Sequence, residues 1–434
     1  SHTLYNVGYY VYCSNAGLTV SSGTTLTADG TFTVSGGGGA WSLETGTIAV
    51  KGNITFTGTS AWGGGTLTLK AIGTANQTLT GAGGTYQAAL PKFIIDKTGG
   101  TLTLSGVIST AQTWDYIQGT VDPGTSTVVF NGNTTIDGQG TSSTMAFNNV
   151  TIWSNIRPLG GNLNVNGNLK INANTALSSN GYDINLAGDW DNSGAYGGGF
   201  DPGTRTVTLN GNSTQTIKGS TSTTFYKLAM NKPSGDVLIN KPVIVSSNLT
   251  LTKGAVVSTS TNYLQLADNA VIVGGSDTAF VSGFMRKAGN DAFTFPIGSN
   301  SLGTGKYHPL SITAPSSTTD IFSAEYIPSN QAAGSALDSS LLSISNCEYW
   351  NLNRVAGSSN VTPGLGWNVN TCNSNIPADL VVAVWDGSKW LNKGRSSLDM
   401  ANNGGTGRVV AASAVTASSN PVLIGIKKNI YNSY

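Results

Sequence analysis

Apolar and polar residues alternate over short runs along most of this chain, and the runs end at Gly-Asn, Asn-Gly or Asp-Pro-Gly corners. Gly65-Thr66-Leu67-Thr68-Leu69 is one such run, and Gln77-Thr78-Leu79-Thr80-Gly81 is the next. A period of two is the mark of a half-buried strand, whereas the three-to-four spacing of an amphipathic helix is almost absent. The pattern predicts a protein built from many short strands.

The same phrase returns twice. Gly124-Thr125-Ser126-Thr127-Val128-Val129-Phe130-Asn131-Gly132 leads to Thr135-Ile136-Asp137-Gly138, and Gly203-Thr204-Arg205-Thr206-Val207-Thr208-Leu209-Asn210-Gly211 leads to Gln215-Thr216-Ile217-Lys218-Gly219. The copies start 59 and then 79 residues apart, close to three and four units of about 20 residues. Between them recur Val50-Lys51-Gly52-Asn53-Ile54, Val165-Asn166-Gly167-Asn168-Leu169 and Val245-Ser246-Ser247-Asn248-Leu249. Coil-sized intervals predict a parallel β-solenoid whose inward aliphatics stack from coil to coil. A string of small antiparallel sandwiches is the competing architecture, since Asn-Gly pairs also serve hairpins.

Past residue 280 the texture changes. Phe293-Thr294-Phe295-Pro296-Ile297-Gly298, Glu348-Tyr349-Trp350-Asn351-Leu352 and Val381-Val382-Ala383-Val384-Trp385 read as longer, more aromatic strands. Asp386-Gly387-Ser388 is a turn, and Lys389-Trp390-Leu391 begins the return. The expected organisation is therefore an aromatic strand or cap over 1–14, a parallel β-solenoid over 15–280 and a β-sandwich over 281–434.

Composition narrows the function. Charged residues make up 10% of the chain, against roughly 25% in an ordinary soluble protein, and the net charge is +1. No basic face of the kind that binds nucleic acid is visible, and no apolar run approaches the roughly 20 residues that span a bilayer. The 21 acidic residues are scattered singly, and His2 and His308 lie far apart. Polysaccharide lyases share the parallel β-helix, but proton-transfer chemistry needs convergent titratable groups. The expectation is no catalytic residue, no cofactor and no metal. Asp189-Trp190-Asp191-Asn192-Ser193-Gly194 places oxygens at alternate positions before a glycine, as a calcium loop does, but lacks the closing Glu.

Three cysteines occur. Cys347 and Cys372 are expected to form a disulfide in an oxidising compartment, or else to lie as buried thiols on neighbouring strands. Cys13 is left over, either buried or pairing between molecules. Trp350, Trp367, Trp385 and Trp390 are expected to fill the sandwich core. Trp62 and Trp190, beside Gly-rich turns, are more open to stacking on sugars, and Trp153 also lies in the solenoid region. The N-terminal segment is unusually aromatic, with Leu4, Tyr5, Val7, Tyr9, Tyr10, Val11, Tyr12 and Cys13 as candidate subunit contacts, joined by Ile430 and Tyr431. One reading has this segment cap its own solenoid. The other has it add as a strand to a neighbouring copy, giving head-to-tail polymers.

Val281-Ser282-Gly283-Phe284-Met285-Arg286-Lys287, Phe293-Thr294-Phe295-Pro296-Ile297-Gly298, Cys347-Glu348-Tyr349-Trp350 and Trp385-Asp386-Gly387-Ser388-Lys389-Trp390 resemble segments of large secreted surface proteins of Bacteroidota. The resemblance covers about residues 200–434 well and 45–200 as weaker repeats. It implies export through the outer membrane, often by the type IX pathway, and adhesin-like or appendage roles, with no shared catalytic motif. Asp277-Thr278-Ala279 also resembles the short motif at which Bacteroidota attach O-glycans, with Thr278 as acceptor. The expectation is a non-enzymatic extracellular protein of the cell surface. It is either a subunit of a self-assembling fibre or layer, or a monomeric adhesin or glycan-binding stalk. Its partners are then copies of itself or surface glycans.

Overall fold

The computed structural model describes residues 3–4, 11–13, 20–34, 46–57, 67–84, 89–132, 134–137, 145–153, 155–368, 371, 377–400, 407–416 and 420–428. It is essentially all-β, 54% strand and 1% helix, with about 11 turns of parallel β-solenoid among the described residues and a C-terminal antiparallel region. The chain divides into two compact units, 1–226 and 227–434.

The first unit is built of parallel coils. Thr25, Thr47, Thr68 and Lys92 are register partners in consecutive strands, so a coil takes 21 to 24 residues. The inward positions of these strands make a continuous apolar column: Ile48, Leu69, Phe93, Trp114 and Ile136 follow one another in register, each at most 1% exposed. Each such side chain contributes roughly 1.5–3 kcal/mol by leaving water. Parallel register between successive coils is what the solenoid reading requires and what a string of antiparallel sandwiches would not show.

The repeated phrases do not all occupy one face. Thr127–Phe130 pairs with Val107–Thr110, while Thr206–Leu209 pairs with Ile184–Leu186 in a different sheet. Intervals of 59 and 79 residues are not whole multiples of a coil of 21 to 24, so the phrase drifts around the coil. The repeat thus encodes a corner and the strand beside it rather than a fixed coil phase. Glycine is needed at these corners because coil backbones approach closely: a Cβ on Gly188 would overlap the backbone of Gly167 in the coil before. The neighbouring asparagines then serve as ladders. Asn149 Oδ1 accepts from the Asn168 N–H at 2.8 Å, Asn168 Oδ1 from Asp189 N–H at 2.7 Å, and Asp189 Oδ1 from Thr216 N–H at 2.8 Å.

The second unit opens with more parallel strands. Val243–Lys253 pairs with Leu264–Leu266 and with Val271–Gly274, and Val256–Val257 pairs with Val281–Ser282, which pairs with Ile297–Gly298. Pairing turns antiparallel where Met285–Ala288 meets Ile321–Ile327. From there one sheet runs through Tyr349–Ala356, Asn420–Lys427, Leu380–Trp385 and Trp390–Asn392, and a second through Phe293–Phe295, Leu310–Ile312, Pro363–Trp367, Gly407–Val410 and Ser397–Met400. Phe295, Leu310, Phe322, Trp350, Leu365, Val409 and Ile424 are buried in this region, forming the core of a two-sheet sandwich. Leu341, Val381, Ala383, Trp390 and Leu423 form a smaller apolar cluster, with Trp385 packed on Trp390 at 5.6 Å.

Candidate functional site

The sequence-predicted contacts fall in several places. Thr3–Leu4 pairs with Thr27 and Ala28, and Val11–Cys13 with Phe32, Thr33 and Val34, so the backbone at Leu4, Val11, Tyr12 and Cys13 forms a first rung on its own solenoid. Tyr5, Val7, Tyr9, Tyr10, Ile430 and Tyr431 lie outside the described residues, as do Trp62 and Cys372. Cys347 is disulfide-bonded. Thr278 is exposed in a turn, its hydroxyl 3.1 Å from that of Ser276, while Asp277 beside it accepts from the Tyr307 N–H at 2.9 Å.

Trp190 is not a sugar platform. It is 1% exposed and packs edge-on against Phe200 at 4.8 Å and Phe225 at 5.0 Å, because its strand turns it inward. The same strand, Trp190–Asn192, disperses the calcium-like oxygens. Asp189 Oδ2 faces Lys218 at 2.6 Å, Asp191 Oδ1 accepts from Ser193 Oγ, and the Asn192 side chain turns inward, where its amide donates to Gly198 and Thr223. Among the described residues no three His, Cys, Asp or Glu side chains gather as a metal group would. Trp350, Trp367 and Trp390 are buried, and Trp385 is half-buried.

Five of the acids that look scattered in sequence are paired in space with a base about one coil away. Lys51–Asp29 at 2.7 Å, Lys70–Asp96 at 2.6 Å, Lys92–Asp115 at 2.9 Å, Arg205–Asp183 at 3.0 Å and Lys218–Asp189 at 2.6 Å all bridge neighbouring coils. Inside the coils, buried polar groups serve backbone carbonyls. Gln77 Nε2 donates to Val50 and Gly52, and Gln215 Nε2 to Leu186 and Gly188. In the copy of the repeat that carries Thr134 instead of glutamine, Arg157 reaches across and donates to the Thr134 carbonyl at 2.5 Å. Burial lowers this guanidinium to about 10. Lys97 donates to the Ala75 carbonyl at 2.8 Å and to Gln77 Oε1 at 2.7 Å. The recurrent Gln-Thr-Leu/Ile phrase carried the signal for the corner glutamines.

One titratable cluster is internal to the second unit. His308 stacks on Tyr326 with ring centroids 4.0 Å apart, and its Nδ1 stands 3.5 Å from Glu348 Oε2. Tyr326 donates its hydroxyl to the same oxygen at 2.8 Å, and Trp350 Nε1 donates to the His308 carbonyl. His308 Nε2 lies 2.9 Å from the Gly305 carbonyl and 3.1 Å from Asn368 Nδ2. Burial brings His308 down to about 4, opposed by the Gly305 carbonyl and Asp277, and lifts Glu348 to about 7 despite the Tyr326 and Thr371 hydroxyls. His308 is 0% and Glu348 1% exposed, so a substrate has no access to the pair. Lone residues in sequence gave no sign of this cluster, because His308, just before Leu310–Ile312 of one sheet, meets Glu348, just before Tyr349–Ala356 of the other, only in the folded unit.

An open feature of the second unit is a groove of about 560 Å³ whose lining includes Val271, Ile272, Gly274, Phe293, Thr294, Pro296 and Tyr307. Val271 and Val273 are 53% and 52% exposed. The charged groups at the groove, Lys287 and Asp291, engage each other at 2.9 Å. The lining mixes polar and apolar residues, and its titratable side chains are Lys287, Asp291 and Tyr307. No protein-family profile, curated protein or solved structure matches the chain.

Proposed function

We propose that the chain is a non-enzymatic structural protein of the cell exterior, a subunit of a fibre or surface layer joined through β-contacts between copies. One observation carries the reading: a stacked parallel solenoid that leaves the strand Val271–Gly274 paired on one side only among the described residues, with Val271 and Val273 exposed. A free strand edge of this kind presents backbone donors and acceptors that another strand satisfies. The ionic pairs between coils support a structural rather than catalytic use of the acidic residues, and the disulfide at Cys347 supports an oxidising compartment. Among the described residues no helix is long and apolar enough to cross a membrane. Export from a Bacteroidota cell by the type IX route, and O-glycosylation at the exposed Thr278, rest on the resemblance of the segments quoted above.

Negative-stain microscopy of the full chain over a range of concentrations tests the proposal. Regular fibres or sheets that grow with concentration are the expected result. Separate particles at every concentration sink it in favour of a monomeric adhesin or glycan-binding stalk.

A further inference from the structure

The sheet made of Phe293–Phe295, Leu310–Ile312, Pro363–Trp367, Gly407–Val410 and Ser397–Met400 has two unlike faces. Phe295, Leu310, Leu365 and Val409 are buried, while Thr294, Ser311 and Arg408 hold the intervening positions and reach solvent. A cleft of about 400 Å³ opens on that solvent face, within the range of roughly 300–1,000 Å³ of ligand clefts. Its polar lining consists of five hydroxyl residues, Thr294, Ser311, Thr313, Thr362 and Ser397, and one charged residue, Arg408. Neither a carboxylate nor a second cation lines it. Gly364 shapes the middle of this face. It stands in register between Ser311 and Val410, and a Cβ there would lie 2.5 Å from Ser311 Oγ and 3.4 Å from Arg408 Cδ. Glycine thus lets the serine hydroxyl and the arginine stem lie over the central strand.

The other arginines of the chain are engaged. Arg157 donates to the Thr134 carbonyl, and Arg205 pairs with Asp183. Arg286 stacks on the Tyr263 ring at 3.6 Å, Arg354 donates to the Ser358 and Ser359 carbonyls, and Arg395 donates to the Leu380 carbonyl. Arg408 is the one arginine that has no such partner among the described residues. Its register partner is Asp399, yet the two form no ion pair. The link between these two strands, residues 401–406, contains no acidic residue either. The cleft therefore holds an exposed guanidinium whose charge is unanswered.

We propose that this cleft binds a carboxylate-bearing saccharide, with the sugar acid on Arg408 and the sugar hydroxyls on the surrounding threonine and serine side chains. Charge complementarity selects the ligand: the one formal charge in the lining is positive, and a neutral glycan would leave it unanswered. A guanidinium offers a forked donor edge that fits a carboxylate, and such charge-assisted bonds are about twice as strong as neutral ones. The Thr294, Thr362 and Ser397 hydroxyls have no partner among the described residues. Each can donate and accept, as the hydroxyls of a sugar do. Half-buried Val410 adds an apolar contact for the carbon face of a ring. The site goes beyond the fibre reading and stands on its own, whether the chain assembles or remains a monomer.

The test is calorimetric titration of the full chain, at low salt, with an oligogalacturonate, an oligomannuronate and the methyl ester of each. Arg408→Gln and Asp399→Asn are titrated alongside. Both residues are exposed, and thermal melting checks that the variants fold as the wild type does. The expected result is that at least one acid form binds, and that its ester and the Arg408→Gln variant each weaken binding at least tenfold. Asp399→Asn should tighten it, because a competing carboxylate beside the arginine is removed. Equal affinity for acid and ester, or for wild type and Arg408→Gln, overturns the proposal, as does a chain that binds neither acid form. Acetate or phosphate that displaces the oligosaccharide molecule for molecule identifies a simple anion site and overturns the saccharide assignment.

Discussion

The coils of the first unit and the antiparallel sheets of the second solve the same problem, buried polar groups, in opposite ways. In the coils each corner leaves carbonyls facing the interior, and a single side chain one coil later serves them: Gln77 for Val50 and Gly52, Gln215 for Leu186 and Gly188, and Arg157 for Thr134. At these corners each of the three side chains donates to backbone carbonyls, so the arrangement can repeat where the corner does. In the antiparallel sheets the buried groups find each other, as His308, Tyr326, Glu348 and Asn368 do. A repeating backbone yields a repeating remedy, while a non-repeating one yields a single cluster whose protonation burial shifts. The contrast explains why one region advertises its polar core in sequence and the other does not.

The largest expected effect tests the first half of that contrast. Gln215 donates to the Leu186 carbonyl at 3.0 Å and the Gly188 carbonyl at 2.5 Å, and accepts from the Gly211 N–H at 2.9 Å. Gln215→Leu keeps the volume and removes all three bonds. Leaving buried groups without partners costs about 1–3 kcal/mol each, not additively, so a loss of about 3–4 kcal/mol is expected from urea denaturation. A loss below about 0.5 kcal/mol would show that water reaches these corners and that the two regions do not differ as described.

The second effect tests the cluster, and its sign depends on which partner remains. Burial lowers His308 from 6.5 to about 4, so its contribution is present above 6.5 and is lost as pH falls toward 4. Burial raises Glu348 from 4.5 to about 7, so its contribution is present below 4.5 and is lost as pH rises through 7. At about pH 5.5 the folded pair keeps one proton on the glutamate and the unfolded pair keeps one on the histidine. The numbers bound are equal, and the wild type should be nearly flat in this window. Glu348→Gln exposes the histidine slope: stability should fall by about 1.4 kcal/mol per pH unit on acidification, about 3 kcal/mol between pH 6.5 and 4.5. His308→Gln should give the opposite slope. Denaturation midpoints measured across the window decide it, and two variants with parallel profiles would dissolve the coupling.

The solenoid was legible because its physics is local. Alternation, Gly-Asn corners and the Asp-Pro-Gly turns each report a strand or corner, and the Gln-Thr-Leu and Gln-Thr-Ile phrases mark the residues that cap corner carbonyls. What could not be read was phase. Thr127–Phe130 and Thr206–Leu209 share a phrase yet lie in different sheets, because a phrase records its corner and not how far the coil has turned. Trp190 misled for a related reason: a Gly-rich neighbourhood suggests exposure, but strand phase points the ring inward onto Phe200 and Phe225. The groove left a faint mark, the unbroken apolar run Ala270-Val271-Ile272-Val273, which fails to alternate where a strand lacks one neighbour. The His308–Glu348 contact joins residues 40 apart that precede strands of different sheets, and it left no mark at all.

The smallest effect sharpens the comparison from the charged side. Lys218 Nζ lies 2.6 Å from Asp189 Oδ2, with the two side chains 44% and 25% exposed. Exposed pairs of this kind are screened and contribute about 0–1 kcal/mol. Asp189 keeps its other role in Lys218→Met, since its Oδ1 still accepts from the Thr216 N–H at 2.8 Å and so continues the corner ladder. The expected loss is therefore about 0.5 kcal/mol or less, and it should vanish at about 1 M salt. A loss of about 2 kcal/mol, insensitive to salt, would mean that the ionic pairs between coils are part of the solenoid's core energetics. The first unit would then depend on paired side chains as the second does, and backbone repetition would no longer explain how the coils hold their polar groups.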